Sequence, residues 1–173
     1  MRIPGLVVVV VVMGSWFAVS SARADKPVAA KAGAAMCVLT AADFKAAGVD
    51  KAGKPNPNVS DGGASAYCVY AGKSSATGGI ELDVFFPAGS TPAEVKATEE
   101  TAVGEMSASL QPIKLAGADG ARWTPSAVSG GPEFAILVAR RDKLVFVIGV
   151  PKHKDSRAQL SALGARVLAR LAR

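Results

Sequence analysis

FAILVARRDKLVFVIGV occupies positions 134–150. Phe134 to Ala139 and Leu144 to Val150 are apolar, rich in branched residues and too short for buried helices, while Arg140-Arg141-Asp142-Lys143 between them is charged. That pattern predicts two strands joined by a tight hairpin, hence an antiparallel pair in the core. Working outward, Ser156-Arg157-Ala158-Gln159 has capping-box spacing, and Leu160, Leu163, Val167, Leu168 and Leu171 recur at helical intervals, so the chain is expected to close on an amphipathic helix. On the other side, Gln111 to Leu115 and Arg122-Trp123 flank the turn Gly117-Ala118-Asp119-Gly120 and read as short strands.

Further upstream, Thr91-Pro92-Ala93-Glu94 combines a cap, a proline at the first helical position and a glutamate three residues after the cap. A helix is expected from Pro92 to about Met106, burying Val95, Ala102, Val103 and Met106, with Lys96, Glu99 and Glu100 outside that face. Ile80, Leu82, Val84 and Phe86 alternate with Glu81, Asp83 and Phe85 as in a strand with one buried face, and Tyr67 to Tyr70 suggests another strand. Thr40 and Asp43 have capping-box spacing and Gly48 supplies a stop, so Ala41 to Ala47 reads as a short helix anchored by Phe44. From Gly48 to Gly63, proline and asparagine without periodicity predict a long loop. No connection between adjacent strands is long enough for a parallel crossover. The expected class is therefore α+β, a mostly antiparallel sheet with the helices on one face in two layers.

The start of the chain reads differently. Arg2, an apolar run from Leu6 to Val19 interrupted by Gly14 and Ser15, and Ala22-Arg23-Ala24 form the pattern of a secretory signal peptide over 1–24. The run falls short of the roughly 20 apolar residues of a spanning helix, so no stable membrane span is expected after cleavage. Residues 25–35 form a flexible lead-in, and 36–173 a single domain. The expected location is periplasmic or secreted. An oxidising compartment favours a Cys37–Cys68 disulfide; two free thiols, one of them reactive, are the alternative.

The chain holds 20 Lys and Arg against 14 Asp and Glu, one His and two Cys. A set of acid, base and nucleophile cannot be assembled from these residues, so the expectation is a non-enzymatic module without cofactor or metal. Gly72-Lys73-Ser74 lacks the upstream glycine of a phosphate-binding loop, with Tyr67 in its place. Glu81 and Asp83 share a strand face at about 7 Å, a spacing that suits acid and base roles, although solvated strand charges are far commoner. His153, between Lys152 and Lys154, has no second histidine as a co-ligand. Asp119 could hold a cation, but a turn-forming aspartate is the plainer reading. Asn58-Val59-Ser60 fits the glycosylation triplet.

Charge divides the domain. Residues 25–139 carry a net −3 and residues 140–173 a net +7. Arg166, Arg170 and Arg173 fall on one stripe of the last helix, and Arg140, Arg141 and Lys143 sit at the hairpin tip, so these six are candidates for binding an anionic lipid or polymer. The plainer reading is that arginines near a helix C-terminus complement its dipole. Trp123, Tyr67 and Tyr70 are candidates for a ligand cleft, with core packing as the alternative.

Cys37-Val38-Leu39-Thr40-Ala41-Ala42-Asp43, then Cys68-Val69-Tyr70, then Gly117-Ala118-Asp119-Gly120-Ala121-Arg122-Trp123, followed by a charged hairpin tip and a closing helix, resembles a family of exported bacterial domains of unknown function. Many of that family's members are actinobacterial lipoproteins. This chain departs from the pattern in lacking a lipobox and in carrying Ala118 and Gly120 around Asp119. The resemblance implies an envelope or secreted binding module for an unknown small molecule, envelope component or protein, and brings no catalytic residues. No nucleic-acid partner is expected.

Overall fold

The computed structural model describes residues 37–50, 52–59, 65–71, 80–85, 91–104, 109–126 and 133–171. The signal-peptide and lead-in assignments, Gly72-Lys73-Ser74, Met106 and Arg173 lie outside them. In chain order the elements are α1 (Ala41–Ala46), β1 (Asn56–Val59), β2 (Ser65–Ala71), β3 (Ile80–Phe85), α2 (Pro92–Val103), β4 (Gln111–Pro112), β5 (Gly120–Thr124), β6 (Phe134–Arg141), β7 (Leu144–Pro151) and α3 (Ser156–Leu171). All seven strands join one antiparallel sheet in the order β1-β2-β3-β7-β6-β5-β4. The α+β class and the antiparallel sheet are as the sequence predicts. Two meanders, β1 to β3 and β4 to β7, meet where β3 pairs with β7, and α2 carries the chain from one to the other.

The helices, by contrast, cover both faces of the sheet. Ala135, Leu137 and Ala139 of β6 belong to a core with Leu160, Leu163, Val167 and Leu168 of α3 and with Phe44 of α1. The alternate residues Phe134, Ile136 and Val138 pack instead with Val103 of α2 and Val147 of β7. A strand that is apolar at every position is buried on both sides, and β6 is buried from Phe134 through Ala139. The expected two layers, with one sheet face bare, give way to a sheet with α1 and α3 above and α2 below.

Local signals account for most of the elements. Thr40 and Thr91 both form reciprocal capping boxes, with Asp43 and Glu94. Asp119 Oδ2 accepts a 2.7 Å hydrogen bond from the backbone N–H of Asp142. Asp142 sits in the β6–β7 turn at φ +51°, a left-handed conformation that aspartate tolerates better than most residues. Asp119 thus fastens two turns together, and its carboxylate is used in that tie. Gly164 lets α3 lie close on the sheet, since a Cβ there would come within 2.5 Å of the buried Leu137 side chain.

Three further expectations are corrected. The 48–63 loop contains β1, an edge strand paired with β2, because Pro57 on an edge need not donate to a ladder. Glu99 is buried, with Arg122 Nη2 2.9 Å and Arg140 Nε 3.1 Å from its two carboxylate oxygens. The capping box at Ser156 does not form: Gln159 donates instead to the Gly48 carbonyl at 2.7 Å, while Ser156 Oγ accepts from the His153 backbone at 2.7 Å.

Cys37 and Cys68 form a disulfide, and no free cysteine occurs among the described residues. It joins the segment before α1 to the middle of β2. Beside it, Tyr70 is buried against Phe44, ring centroids 4.8 Å apart, and its hydroxyl accepts from the Leu39 backbone at 3.1 Å.

Candidate functional site

Strand directions decide what Trp123 meets. In a meander β5 and β7 run the same way, so the end of β5 and the end of β7 emerge at one edge of the sheet. Trp123 pairs with Leu137 and thereby faces the α3 side, where it packs partly on the core. The chain leaving β7 passes through Lys152, His153 and Lys154 and enters α3 over that same face. The result is a cleft of about 480 Å³ lined by Trp123, Pro125, Lys152, His153, Lys154 and Arg157.

Every charged residue in that lining is basic or can be. Lys152 Nζ lies 2.6 Å from Glu133, an exposed pair, and His153 Nδ1 lies 3.4 Å from Asp155. The Arg157 guanidinium lies over the Trp123 ring, 5.7 Å from its centroid, within the range of a cation–π contact. The first turn of α3 contains no acidic residue. A half-buried indole, a proline and several cationic heads suit an anion attached to an apolar or ring-bearing body.

The other aromatic candidates do not join this site. Tyr70 is a core residue, and burial pushes its hydroxyl up to about 12 although the hydrogen bond from the Leu39 backbone and the Arg170 charge act the other way. Tyr67 is half-buried opposite Asp83, which pairs on its other side with Val147, so Tyr67 faces the α2 side of the sheet. Only Trp123 of the three lines the cleft.

The arginine stripe is largely engaged inside the domain. Arg170 Nη1 and Nη2 donate to both oxygens of Asp43 at 2.6 and 2.9 Å, and Nη1 also donates to the Val38 carbonyl. Burial pushes the Asp43 carboxyl upward, but the hydrogen bonds from Arg170 and Thr40 outweigh it and bring it down to about 2. Arg166 stands 4.0 Å from the same carboxylate and is mostly exposed. Arg140 is held by Glu99, and Arg141 lies 3.8 Å from Asp142. Lys143 is exposed at the hairpin tip.

Glu81 and Asp83 are not the solvated pair that strand charges usually form. Glu81 is buried and Asp83 half-buried on the α2 side of β3. Burial, then the charge and hydrogen bond of Glu81, push the Asp83 carboxyl up to about 8. A carboxyl raised from its ordinary value favours the fold fully below about pH 4, and that contribution is lost as pH rises through 8. Melting temperatures across pH 5 to 9 are expected to decline in the wild type and to decline less in Asp83→Asn; parallel profiles would refute this. No cluster of three or more His, Cys, Asp or Glu suited to a metal occurs among the described residues.

The sequence points to Trp123 as a cleft residue but not to Lys152, Lys154, Arg157 or Pro125. A usable signal was present, namely three basic residues within six positions between a strand end and a helix start. Comparison with known proteins found no matching family model, no matching curated protein and no matching solved structure.

Proposed function

We propose that the chain is an exported, non-enzymatic binding module whose ligand seat is the cleft beside Trp123 and whose ligand is an anion. The observation that supports this most is the lining itself, in which an aromatic wall stands against Lys152, Lys154 and Arg157 with no carboxylate among the lining residues. Export rests on the N-terminal signal pattern and agrees with the Cys37–Cys68 disulfide. No helix among the described residues is long and apolar enough to cross a membrane. The resemblance to exported bacterial domains points the same way.

The alternative, an anionic-surface binder working through Arg140, Arg141, Lys143, Arg166, Arg170 and Arg173, draws less support, since Arg140 and Arg170 are committed to Glu99 and Asp43. The two readings separate by calorimetry with pyrophosphate at low salt. Lys154→Glu combined with Arg157→Glu is expected to abolish binding, whereas Lys143→Glu combined with Arg166→Glu leaves it within about twofold, the scale of exposed charges acting at a distance. The reverse pattern would transfer the seat to the hairpin and helix stripe.

A further inference from the structure

The cleft does more than collect positive charge, because its arginine sits over an aromatic ring. A guanidinium stacked on an indole keeps its planar face against the ring and leaves its N–H edge for a ligand. The Arg157 guanidinium carbon lies over the Trp123 ring, 5.7 Å from its centroid, at cation–π range. A fork of this kind matches two oxygens of a carboxylate or phosphate at once, which a lysine head does not.

Charge balance narrows the choice between those anions. Among the lining cations, Lys152 has Glu133 and His153 has Asp155 as neighbours, while Lys154 is exposed and Arg157 faces Trp123. Among the described residues, Lys154 and Arg157 therefore remain for a ligand. A carboxylate supplies one negative charge and a phosphomonoester about two near neutral pH, together with a third oxygen beyond the pair an arginine fork engages. Trp123 and Pro125 supply an apolar wall for the organic part of such an ester.

Resting on the reading of the cleft as the ligand seat, we infer that its ligand is a phosphomonoester dianion, with Arg157 gripping two phosphate oxygens, Lys154 the third, and Trp123 acting as the positioning residue that holds Arg157. A soluble phosphorylated metabolite and an exposed phosphomonoester headgroup of a lipid present the same chemistry.

The test uses the processed chain beginning at Asp25, from which Trp16 is removed, so that Trp123 is its only tryptophan and its fluorescence reports on the cleft. Glycerol 3-phosphate is expected to change the emission saturably, and glycerate, with one charge, to bind at least tenfold more weakly. Arg157→Lys keeps the charge but lacks the fork, and it is expected to weaken binding about tenfold or more. Trp123→Phe should retain much of the affinity and Trp123→Ala lose it, read by calorimetry. Vesicles of phosphatidylcholine with or without phosphatidic acid form the second arm. Response to the soluble ester assigns a free metabolite, and response to the phosphatidic acid vesicles alone assigns a lipid headgroup. Equal binding by Arg157→Lys, or glycerate binding as well as the phosphoester, overturns the phosphomonoester inference while leaving an anion seat. No response of Trp123 to either arm, or to pyrophosphate, overturns the seat itself. Circular dichroism of each variant shows whether it is folded.

Discussion

Arg170→Glu is expected to lower stability by about 2 to 3 kcal/mol, toward the lower end of the cost of breaking a buried pair because Arg170 is itself partly exposed. The substitution removes both hydrogen bonds to Asp43 and sets a second carboxylate beside it. It also releases the Val38 carbonyl, so the segment leading into α1 loses its link to α3. Arg166→Glu, one turn earlier on an exposed side chain 4.0 Å from Asp43, is expected to change stability by only about 0.5 kcal/mol. The pair also sets the acid limb of stability. With Asp43 held at about 2, its contribution is present above its unfolded value near 3.8 and is lost as pH falls through 2. Urea titrations at pH 7 and pH 3 check this. Arg170→Glu unfolding at the wild-type midpoint would contradict the structural role given to this arginine.

Replacing both Cys37 and Cys68 by Ser is expected to cost about 3 to 4 kcal/mol, the chain-entropy estimate for a loop of this length. The separation is 31 residues, and the loop contains α1, β1 and the start of β2. Its loss acts on the same corner of the domain as Arg170, where Tyr70 packs on Phe44. The double serine variant combined with Arg170→Glu should therefore depart from additivity, since the two changes free one segment from two anchors. Reduced and oxidised wild-type protein with equal melting temperatures would contradict the expectation.

The sequence makes most strands and two of the three expected capping boxes legible because their signals are local. The 134–150 hairpin, the Thr40 and Thr91 boxes and the Asp119 turn all follow from residues within a few positions of one another. Helix placement was not legible, because it depends on which alternate residues of β6 meet which helix. Glu99 looked solvent-facing on its helix, yet its partners are Arg122 and Arg140, at least 23 positions away. The aromatic candidates failed as a group for a similar reason. Alternation within one strand is readable, but Tyr67 and Trp123 lie on different strands whose relative facing is set by register through β3, β7 and β6.

The resembling stretch Gly117 to Trp123 gains a physical meaning from the structure. Asp119 locks the β6–β7 turn, Arg122 fastens α2 through Glu99, and Trp123 forms the cleft wall, all within five residues. This short motif thus connects the hairpin, the α2 layer and the proposed ligand seat.

The central claim is that ligands bind at the edge where β5 and β7 end. Backbone amide shifts of the uniformly labelled chain, followed by NMR during titration with glycerol 3-phosphate at low salt, test it most directly. The account predicts shifts concentrated at Trp123, Thr124 and residues 152–158, with the Trp123 indole N–H among the largest. Shifts confined to the Arg141–Lys143 tip and the 166–171 end of α3, with Trp123 unmoved, would contradict it.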